Sequence, residues 1–393
     1  MAGAVVSRHG IDSVRNGHPW IYRSHVSSAS TTGGSIIPIV TERRECVGWG
    51  VYDPVSPIAI RVWSLDPAVK LDEALFRRRL ASAVAARRAL FSDHRTTAYR
   101  LLNGEGDRTP GFVIDRYDDV AVLRLDGDGA RAVAPELLSG LEGELRALGI
   151  TTLLERDAQA EGGAKSRVRF GPPRSEARVT EHGVPFVVDL LHGQKTGAFL
   201  DQRENRWRVG ELVRARKEAG LGVRVLNLFS YTGGFSMFAA LAGGEVTSVD
   251  IAPKAHVTAQ ESFRVAGLDP RKHTFVSADA FAWLEGAKKK GQTWDVVICD
   301  PPSFAPSEKA KPKAMSAYRS LHRACAGVLA AGGHFAAASC SSHVSAEDFL
   351  RTLDDVTLGR GDLRLQSMFG PPDDHPTLPS FPEGRYLKLA LLA

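Results

Sequence analysis

The chain has 393 residues, of which 43% are hydrophobic and 24% charged, a balance that excludes global disorder and predicts two or three domains. Its formal net charge of +5 permits a polyanionic partner without requiring one. Because the four cysteines form no CxxC pair, we expect neither a disulfide framework nor a metal site. We find no secretion signal and no uninterrupted apolar run of about 18 residues, so we expect a cytoplasmic protein without a membrane span.

The first 68 residues predict a small β-barrel. Short apolar segments are separated by glycine and proline, a pattern typical of small barrels. The predicted strands lie in HPWIYRSHV, GGSIIPIV, CVGWGVYD and IAIRVWS. Asp66 and Pro67 then end this first predicted domain.

Residues 69–180 predict a central α+β domain. Its first element is an amphipathic helix, KLDEALFRRRLASAVAARRALF. The apolar side chains near one face of this helix are Leu71, Leu75, Leu80 and Val84. We expect a hairpin around Asp118 and Asp119, because apolar runs flank this polar turn. A helix from about Ala130 to Leu148, the strand TTLLER and a loop over Asp157–Ser175 complete the domain.

Residues 181–393 predict a third domain, in which apolar strands alternate with helices. This alternation indicates a Rossmann-like α/β fold with a mainly parallel, seven-stranded sheet covered on both faces. The segments expected to form parallel strands are VRVLNLF, EVTSVD, HTFVSAD, WDVVICD and GGHFAAASC. The terminal segments LRLQSMF and RYLKLALL are expected to form an antiparallel hairpin at its edge.

The ends of the first two parallel strands predict an adenosine-type ligand. The first strand leads into SYTGGF, where Gly233 and Gly234 allow a ligand to approach the backbone, although a tight turn alone would explain them equally well. Asp250 ends the second strand and could accept hydrogen bonds from ribose hydroxyls. Because the loop is not GxGxxG, it lacks the pyrophosphate cradle of dinucleotide enzymes but suits S-adenosylmethionine, which has no phosphate.

Two further acids follow strands at the same predicted edge. Asp279 could meet an adenine amino group or cap the following helix, and these roles do not exclude each other. Asp300 ends WDVVICD and precedes Pro301 and Pro302, which fix φ at two successive residues. An acid in this position is costly for packing and useful for chemistry.

Cys340 ends GGHFAAASC and is expected on the same rim as Asp300. Taken alone, such a cysteine is either a nucleophile or a small buried residue. Strand alternation sends Cys299 to the side opposite Asp300, so we interpret Cys299 as a core residue. His343 could pair with the thiol or simply cap and pack, and we leave it out of the catalytic set.

Several longer segments resemble those of bacterial large-subunit ribosomal RNA (cytosine-5) methyltransferases of the RlmI type. They are LLHGQKTGAFLDQRENR, NLFSYTGGFSMFAALAG, DPPSF, SCSSHV and HPTLPSFPEGRYLKL. The region from HPWIY to IAIRVW is similar to the family's PUA module, a small RNA-binding barrel, and NGEGDRTPGFVIDRY is similar to its central domain. The resemblance therefore covers nearly the whole chain.

This resemblance implies a class I methyltransferase domain that binds S-adenosylmethionine. Carried over by position, the nucleophile is Cys340 and the motif IV acid is Asp300. The residues expected to bind the cofactor are Gln202, Arg203, Phe229, Tyr231, Gly233, Asp250, Asp279 and Asp300. The residues expected to contact RNA are Lys195, Lys309, Lys311 and Lys313. The last three lie in the loop SEKAKPKAMSAYR, for which a solvated surface loop is the alternative interpretation.

The implied chemistry requires these residue types. Carbon 5 of cytosine is a poor nucleophile, so a thiolate adds to carbon 6 and moves electron density onto carbon 5. A protonated Asp300 could hydrogen-bond ring nitrogen 3 and stabilise the charge that develops. Related two-cysteine enzymes carry a second thiol after the motif IV proline, where this chain has Ser303. The base that removes the carbon 5 proton is not assigned.

The expected function is methylation of a cytidine in ribosomal RNA, either as free RNA or in a large-subunit precursor. Two alternatives stay open. A methyltransferase acting on an exocyclic amino group would use the same acid, although such enzymes usually have Tyr or Phe where Ser303 stands. A ribosome assembly factor would bind RNA and cofactor without chemistry. The sequence is compatible with a monomer and with a homodimer.

Overall fold

The computed structural model describes residues 3–157 and 165–393. The chain groups into two compact units. The first unit comprises Met1–Val179, Asp189–Leu200 and Asp373–Gly384, and the second comprises Thr180–Val188, Asp201–Pro372 and Arg385–Ala393. The division into three domains at residues 68 and 180 stays a prediction. In the described ranges, no helix has the length and apolar character needed to cross a bilayer.

A six-stranded sheet forms the N-terminal part of the first unit, with strand order β2-β6-β5-β4-β1-β3. Its strands are β1 (Ala4–Val6), β2 (Trp20–Tyr22), β3 (Val26–Ala29), β4 (Ser35–Val40), β5 (Cys46–Tyr52) and β6 (Ile58–Ser64). The strands expected from the sequence are present. The sequence analysis missed β1, which has three residues, and helix α1 (Arg8–Arg15), which has eight and buries only Gly10, Ile11 and Val14.

A five-stranded sheet with order β11-β10-β9-β8-β7 follows in the first unit. Its strands are β7 (Ala98–Asn103), β8 (Phe112–Tyr117), β9 (Val120–Leu125), β10 (Thr152–Asp157) and β11 (Lys165–Phe170). The amphipathic helix is confirmed as α2 (Glu73–Leu90), and the hairpin as the antiparallel pair β8 and β9. Asp118 adopts a left-handed conformation in the hairpin turn, with φ 59°.

Two expectations for this region were wrong. The helix expected from Ala130 to Leu148 is two helices, α3 (Asp128–Leu137) and α4 (Leu141–Ala147). Gly140 caps the second, and glycine is a poor helix former.

The loop expected over Asp157–Ser175 contains strand β11 instead. Arg167 and Arg169 both bond the Glu155 carboxylate of β10, and these alternating arginines concealed the strand in the sequence. Residues 158–164 of that prediction lie outside the described residues.

The second unit contains a seven-stranded sheet with order β16-β15-β14-β17-β18-β20-β19. The hairpin of β12 (Glu176–Glu181) and β13 (Val184–Asp189) contains positions where the chain passes from one unit to the other. The sheet strands are β14 (Arg224–Leu228), β15 (Glu245–Asp250), β16 (Thr274–Ser277), β17 (Trp294–Cys299), β18 (Leu329–Ser339), β19 (Leu365–Phe369) and β20 (Lys388–Leu392). The helices are α5 (Arg203–Glu218), α6 (Gly234–Leu241), α7 (Pro253–Val265), α8 (Ala280–Lys289), α9 (Lys311–Ala326), α10 (Ala346–Arg351) and α11 (Asp354–Gly359).

The strand pairing confirms the Rossmann-like α/β fold. Strands β14 to β18 pair in parallel, and β19 and β20 form the expected antiparallel hairpin. Strand β20 pairs with β18 and β19 is the outer strand. Because parallel strands share one direction, the carboxyl ends of β14 to β18 meet at one edge of the sheet.

Helices cover both faces of this sheet. Val225 and Leu226 of β14 are fully buried, yet they belong to different hydrophobic clusters. The Val225 cluster contains residues of α5, α6 and α7, and the Leu226 cluster contains residues of α8 to α11. Successive side chains on a strand point to opposite faces, so the strands read as continuous apolar runs. Each buried Val or Leu contributes about 1.5–3 kcal/mol.

Buried charged side chains connect distant segments of the first unit. The Arg87 guanidinium is 2% exposed and bonds both oxygens of Asp107, at 2.8 and 2.7 Å. It also donates to the Asp374 carbonyl at 2.8 Å, while the Asp374 carboxylate accepts from the Arg100 N–H at 2.9 Å. The late segment Asp373–Gly384 is therefore tied to this unit by a buried polar network.

We predict that Asp107→Ala destabilises the protein by about 3–5 kcal/mol, because it leaves the buried Arg87 charge uncompensated. The measurement is the midpoint of chemical unfolding. The matched control is Glu144→Ala, which removes an ion pair to Arg77 whose side chains are 36% and 53% exposed and should cost no more than about 1 kcal/mol. An equal loss of stability in the two variants would contradict the stabilising role of the buried Arg87–Asp107 pair.

Candidate active site

The loop after β14 has an unusual backbone. Phe229 and Tyr231 both adopt left-handed conformations, with φ 58° and 48°, and Gly233 has φ 78°. Such a conformation costs a residue with a side chain about 1–2 kcal/mol. A Cβ on Gly233 would also lie 3.0 Å from the Ala259 Cβ. This strain is typical of ligand-binding loops.

Asp250 holds this loop against the end of β15. Its Oδ2 accepts from the Tyr231 N–H and its Oδ1 from the Ala252 N–H, both at 2.8 Å. The Ser230 N–H donates to the Val249 carbonyl at 3.1 Å. The carboxylate therefore fixes the backbone of both loops while remaining partly exposed at the sheet edge.

The ends of β15 and β16 lie side by side. Asp250 pairs with Ser277 in the ladder, and the Ala278 N–H donates to the Asp250 carbonyl at 3.0 Å. Asp279 caps α8, because its side chain accepts from the Ala282 N–H at 2.9 Å. The capping interpretation of Asp279 is thus confirmed, and its contact with a cofactor stays a prediction.

Two apolar side chains at this edge were missed by the sequence analysis. Ile251 is 72% exposed directly after Asp250, and Phe281 is 38% exposed two residues after Asp279. Exposed apolar groups beside a few polar groups are typical of a ligand-binding surface. For Ile251, the available signal was an apolar residue immediately after an acid that ends a strand.

These residues fit an adenosine-type cofactor. The Ser230 hydroxyl is buried, and among the described residues no group hydrogen-bonds its Oγ. A polar ligand atom would satisfy such a group, whose burial otherwise carries a cost. The Asp250 carboxylate suits ribose hydroxyls, and Ile251 and Phe281 suit the adenine ring.

Asp300 follows β17 and is oriented by Gln202. The Gln202 Nε2 donates to the Asp300 Oδ2 at 2.8 Å, and the Gln202 Oε1 accepts from the Asn205 Nδ2 at 2.6 Å. Since Asn205 occupies the amide oxygen, Gln202 must present its NH2 group to the acid. The sequence assigned Gln202 to cofactor binding; its bond to Asp300 and the supporting role of Asn205 were missed.

Cys340 follows β18, and its Sγ lies 3.9 Å from the Pro301 carbonyl oxygen. Next to it, the Ser341 hydroxyl lies 3.0 Å from that of Ser303. These contacts bring the thiol beside the segment that begins with Asp300. The structure therefore places Asp250, Asp279, Asp300 and Cys340 at the carboxyl ends of neighbouring strands.

Cys340 differs from the other two cysteines of the second unit in its exposure. Cys299 and Cys325 are fully buried in the hydrophobic cluster that contains α9, whereas Cys340 is partly exposed. Burial raises the pKa of the Cys299 thiol well above its ordinary value. The interpretation of Cys299 as a core residue is confirmed. His343 lies 3.4 Å from Glu308.

The predicted lysine loop is partly wrong. The segment after Ser307 forms a short 3-10 turn, Glu308–Ala310, and helix α9 then begins at Lys311, with Pro312 in its first turn. Lys311 is 2.8 Å from Asp348, whose carboxylate raises the pKa of this lysine. Lys309 and Lys313 are exposed.

Two other predicted residues belong to the first unit or have other contacts. Lys195 belongs to the first unit, where its ammonium lies 4.5 Å from the centre of the Phe199 ring. Arg203 is 2% exposed at the start of α5, and its Nε donates to Glu204 at 3.1 Å. The structure does not place Lys195 in the unit that contains Asp300 and Cys340.

Comparisons with known proteins agree with this geometry. Residues 162–376 match the family model of S-adenosylmethionine-dependent methyltransferases, and residues 5–65 match that of PUA-like domains. A ribosomal RNA large subunit methyltransferase of Deinococcus radiodurans is 39% identical, covering 96% of this chain and 94% of the relative. A ribosomal RNA large subunit methyltransferase I of Escherichia coli is 33% identical, covering 94% of each chain.

Solved structures share the fold. A structure from Streptococcus mutans, described as a SAM-dependent methyltransferase, has a TM-score of 0.85 and 23% identity, covering 100% of each chain. A second methyltransferase structure, solved in complex with SAH, has a TM-score of 0.85 and 22% identity with the same coverage. On the family models and the curated relatives, this chain belongs to the S-adenosylmethionine-dependent methyltransferase family, in the RlmI-type group with an N-terminal PUA-like domain.

Proposed function

We propose that this protein methylates carbon 5 of a cytidine in large-subunit ribosomal RNA through a covalent adduct with Cys340. The names of its relatives supply the RNA class. The observation that carries the chemistry is the position of Cys340, whose Sγ lies 3.9 Å from the carbonyl of Pro301, the residue after Asp300. A ribosomal RNA substrate would place the enzyme in the cytoplasm.

In this proposal Asp250, the Phe229–Gly233 loop and Asp279 hold S-adenosylmethionine at the sheet edge, with Ile251 and Phe281 beside its adenine. When bound, this cofactor supplies an electrophilic methyl group. Gln202 orients Asp300 through the hydrogen bond to Oδ2. The cofactor roles of Arg203 and the RNA contacts of Lys195, Lys309, Lys311 and Lys313 are parts of the same proposal.

The two catalytic residues act on the base. The Cys340 thiolate adds to carbon 6, which moves electron density into the ring and makes carbon 5 nucleophilic. A protonated Asp300 donates a hydrogen bond to nitrogen 3 and stabilises the charge that collects there. Once carbon 5 carries the methyl group, loss of its proton to a base expels the thiolate and restores aromaticity.

The main rival is methylation of an exocyclic amino group. That chemistry needs no thiol and uses an aromatic residue after the double proline to hold the base. Here the position is Ser303, bonded to Ser341, and the next residue, Phe304, packs on Tyr318 with ring centroids 4.8 Å apart. The local packing therefore supports the thiol mechanism over the rival.

We predict that Cys340→Ala lowers the methylation rate by at least about 1,000-fold, because the variant lacks the nucleophile. It should also form no covalent complex with RNA containing 5-fluorocytidine. In that base fluorine replaces the hydrogen on carbon 5, so a wild-type adduct cannot lose a proton there and release the thiolate. Methyl transfer is measured with labelled cofactor and the complex by denaturing gel.

The matched control is Cys46→Ala, which removes the partly exposed cysteine of the first unit and should retain both activities. Methylation by Cys340→Ala near the wild-type rate would refute the adduct mechanism. A non-catalytic assembly factor would show no methyl transfer with either protein.

We predict that Asp250→Ala weakens binding of S-adenosylmethionine by roughly 10- to 100-fold, since it removes charge-assisted hydrogen bonds that fix the cofactor loop. The dissociation constant is measured by calorimetry. The control is Glu285→Ala, which changes an exposed side chain of α8 and should bind the cofactor as the wild type does. Unchanged affinity in Asp250→Ala would show that the cofactor lies elsewhere.

A further inference from the structure

Lys388, at the start of β20, is a buried cation in the second unit. Its side chain is 3% exposed. It lies directly opposite Ser339 in the antiparallel ladder of β18 and β20, so the two side chains share a face of the sheet. Ser339 is the residue immediately before Cys340. Neither the sequence analysis nor the proposed mechanism uses this lysine.

The ammonium of Lys388 holds the loop that carries Cys340. Its Nζ donates to the carbonyl oxygens of Ser341 at 2.7 Å and of Val344 at 2.5 Å. These carbonyls belong to the first turn after the thiol, which Val344 closes through its N–H to Ser341. Two of the three N–H donors of the ammonium therefore bond this turn.

The positive charge of Lys388 has no carboxylate partner. Within the described part of the chain, no Asp or Glu oxygen forms an ion pair with its Nζ. Carbonyl oxygens satisfy its hydrogen bonds but do not neutralise its charge, and a buried charge without a counter-ion is costly. The charge therefore favours an anion on a neighbouring group.

The titratable groups to consider around this lysine and its turn are Asp348, Tyr318 and Cys340. Asp348 of α10 acts on Lys388, but its carboxylate is already paired with Lys311 at 2.8 Å and bonded by the Ser345 hydroxyl at 2.7 Å. Tyr318 of α9 faces Cys340, and burial raises the pKa of its phenol, so it stays neutral. Cys340 is the remaining group that acts on Lys388.

Burial lowers the pKa of Lys388 to about 8, while Cys340 and Asp348 act in the opposite direction. This value still lies above neutrality, so the amine is mainly protonated at pH 7. A protonated amine next to a thiol lowers the energy of the thiolate. The stabilisation is reciprocal, because the protonated amine favours the thiolate and the thiolate favours the protonated amine.

We propose that Lys388 is a positioning residue that fixes the turn 340–344 and stabilises the thiolate form of Cys340. Its consequence for catalysis rests on the proposed function, but the state of the thiol does not. In this dissociation the S–H bond of Cys340 breaks, the electron pair stays on sulfur and the proton goes to the buffer. Lys388 is neither donor nor acceptor of this proton.

The test is the pH dependence of Cys340 alkylation by iodoacetamide in the full-length protein without RNA. The modified Cys340 peptide is quantified by mass spectrometry, which separates it from the other cysteines. In the wild type we expect an apparent thiol pKa at least one unit below the ordinary value of about 8.5. In Lys388→Met we expect this pKa to rise by at least one unit, with alkylation at pH 7 slowed roughly tenfold.

Lys388→Arg keeps the charge and should restore most of the alkylation rate. Lys289→Met removes an exposed lysine of α8 and is the matched control, which should leave the profile unchanged. A wild-type thiol that titrates at or above about 8.5 would overturn the proposal without any variant, even where Lys388→Met does not fold. Identical profiles for wild type and a folded Lys388→Met would overturn it as well.

These outcomes are separable from failure of the proposed function. Alkylation reports the thiol in the absence of RNA, whereas methylation by Cys340→Ala tests the role of that thiol. A lowered thiol pKa that depends on Lys388, together with full activity of Cys340→Ala, would sustain this inference and refute the adduct mechanism. An ordinary thiol pKa together with an inactive Cys340→Ala would refute this inference and sustain the adduct mechanism.

Discussion

The common direction of strands β14 to β18 is the constraint on which the candidate site depends. Parallel pairing requires their carboxyl ends to lie at one edge, so residues from distant parts of the chain become neighbours. Asp250 and Asp279 follow β15 and β16, and Asp300 and Cys340 follow β17 and β18. The acids and the thiol therefore meet without any direct sequence proximity.

Hydrogen bonds behind the edge set the orientation of these groups. Asp250 fixes the strained loop after β14, and Asn205 fixes the Gln202 amide that donates to Asp300. Lys388 binds the turn that carries Cys340. The partly exposed Asp300 side chain and the turn after Cys340 are thus each held by buried polar side chains, an arrangement that fixes position.

Much of this arrangement could be predicted from the sequence, because the relevant signals are local. Apolar runs alternating with helices indicate the parallel sheet, and the residue after each run is placed at its edge. Cys299 and Cys340 were correctly separated into buried and rim positions by strand alternation and strand end.

Other features depended on tertiary contacts and could not be predicted in this way. Lys388 looks like an ordinary strand residue, and only pairing with β18 places it opposite Ser339, the residue before the thiol. The strand β11 was hidden by arginines whose partner, Glu155, lies on another strand. The assignment of Asp373–Gly384 to the first unit depends on buried bonds of Asp374 to residues nearly 300 positions earlier.

The central claim is that the methyl group is placed on carbon 5 of cytidine. The most direct test is nuclease digestion and mass spectrometry of large-subunit ribosomal RNA from strains with and without this protein. The account predicts one 5-methylcytidine that disappears with the gene and returns when the purified enzyme acts on the unmodified RNA. A lost methyl group that maps to an exocyclic nitrogen would contradict it.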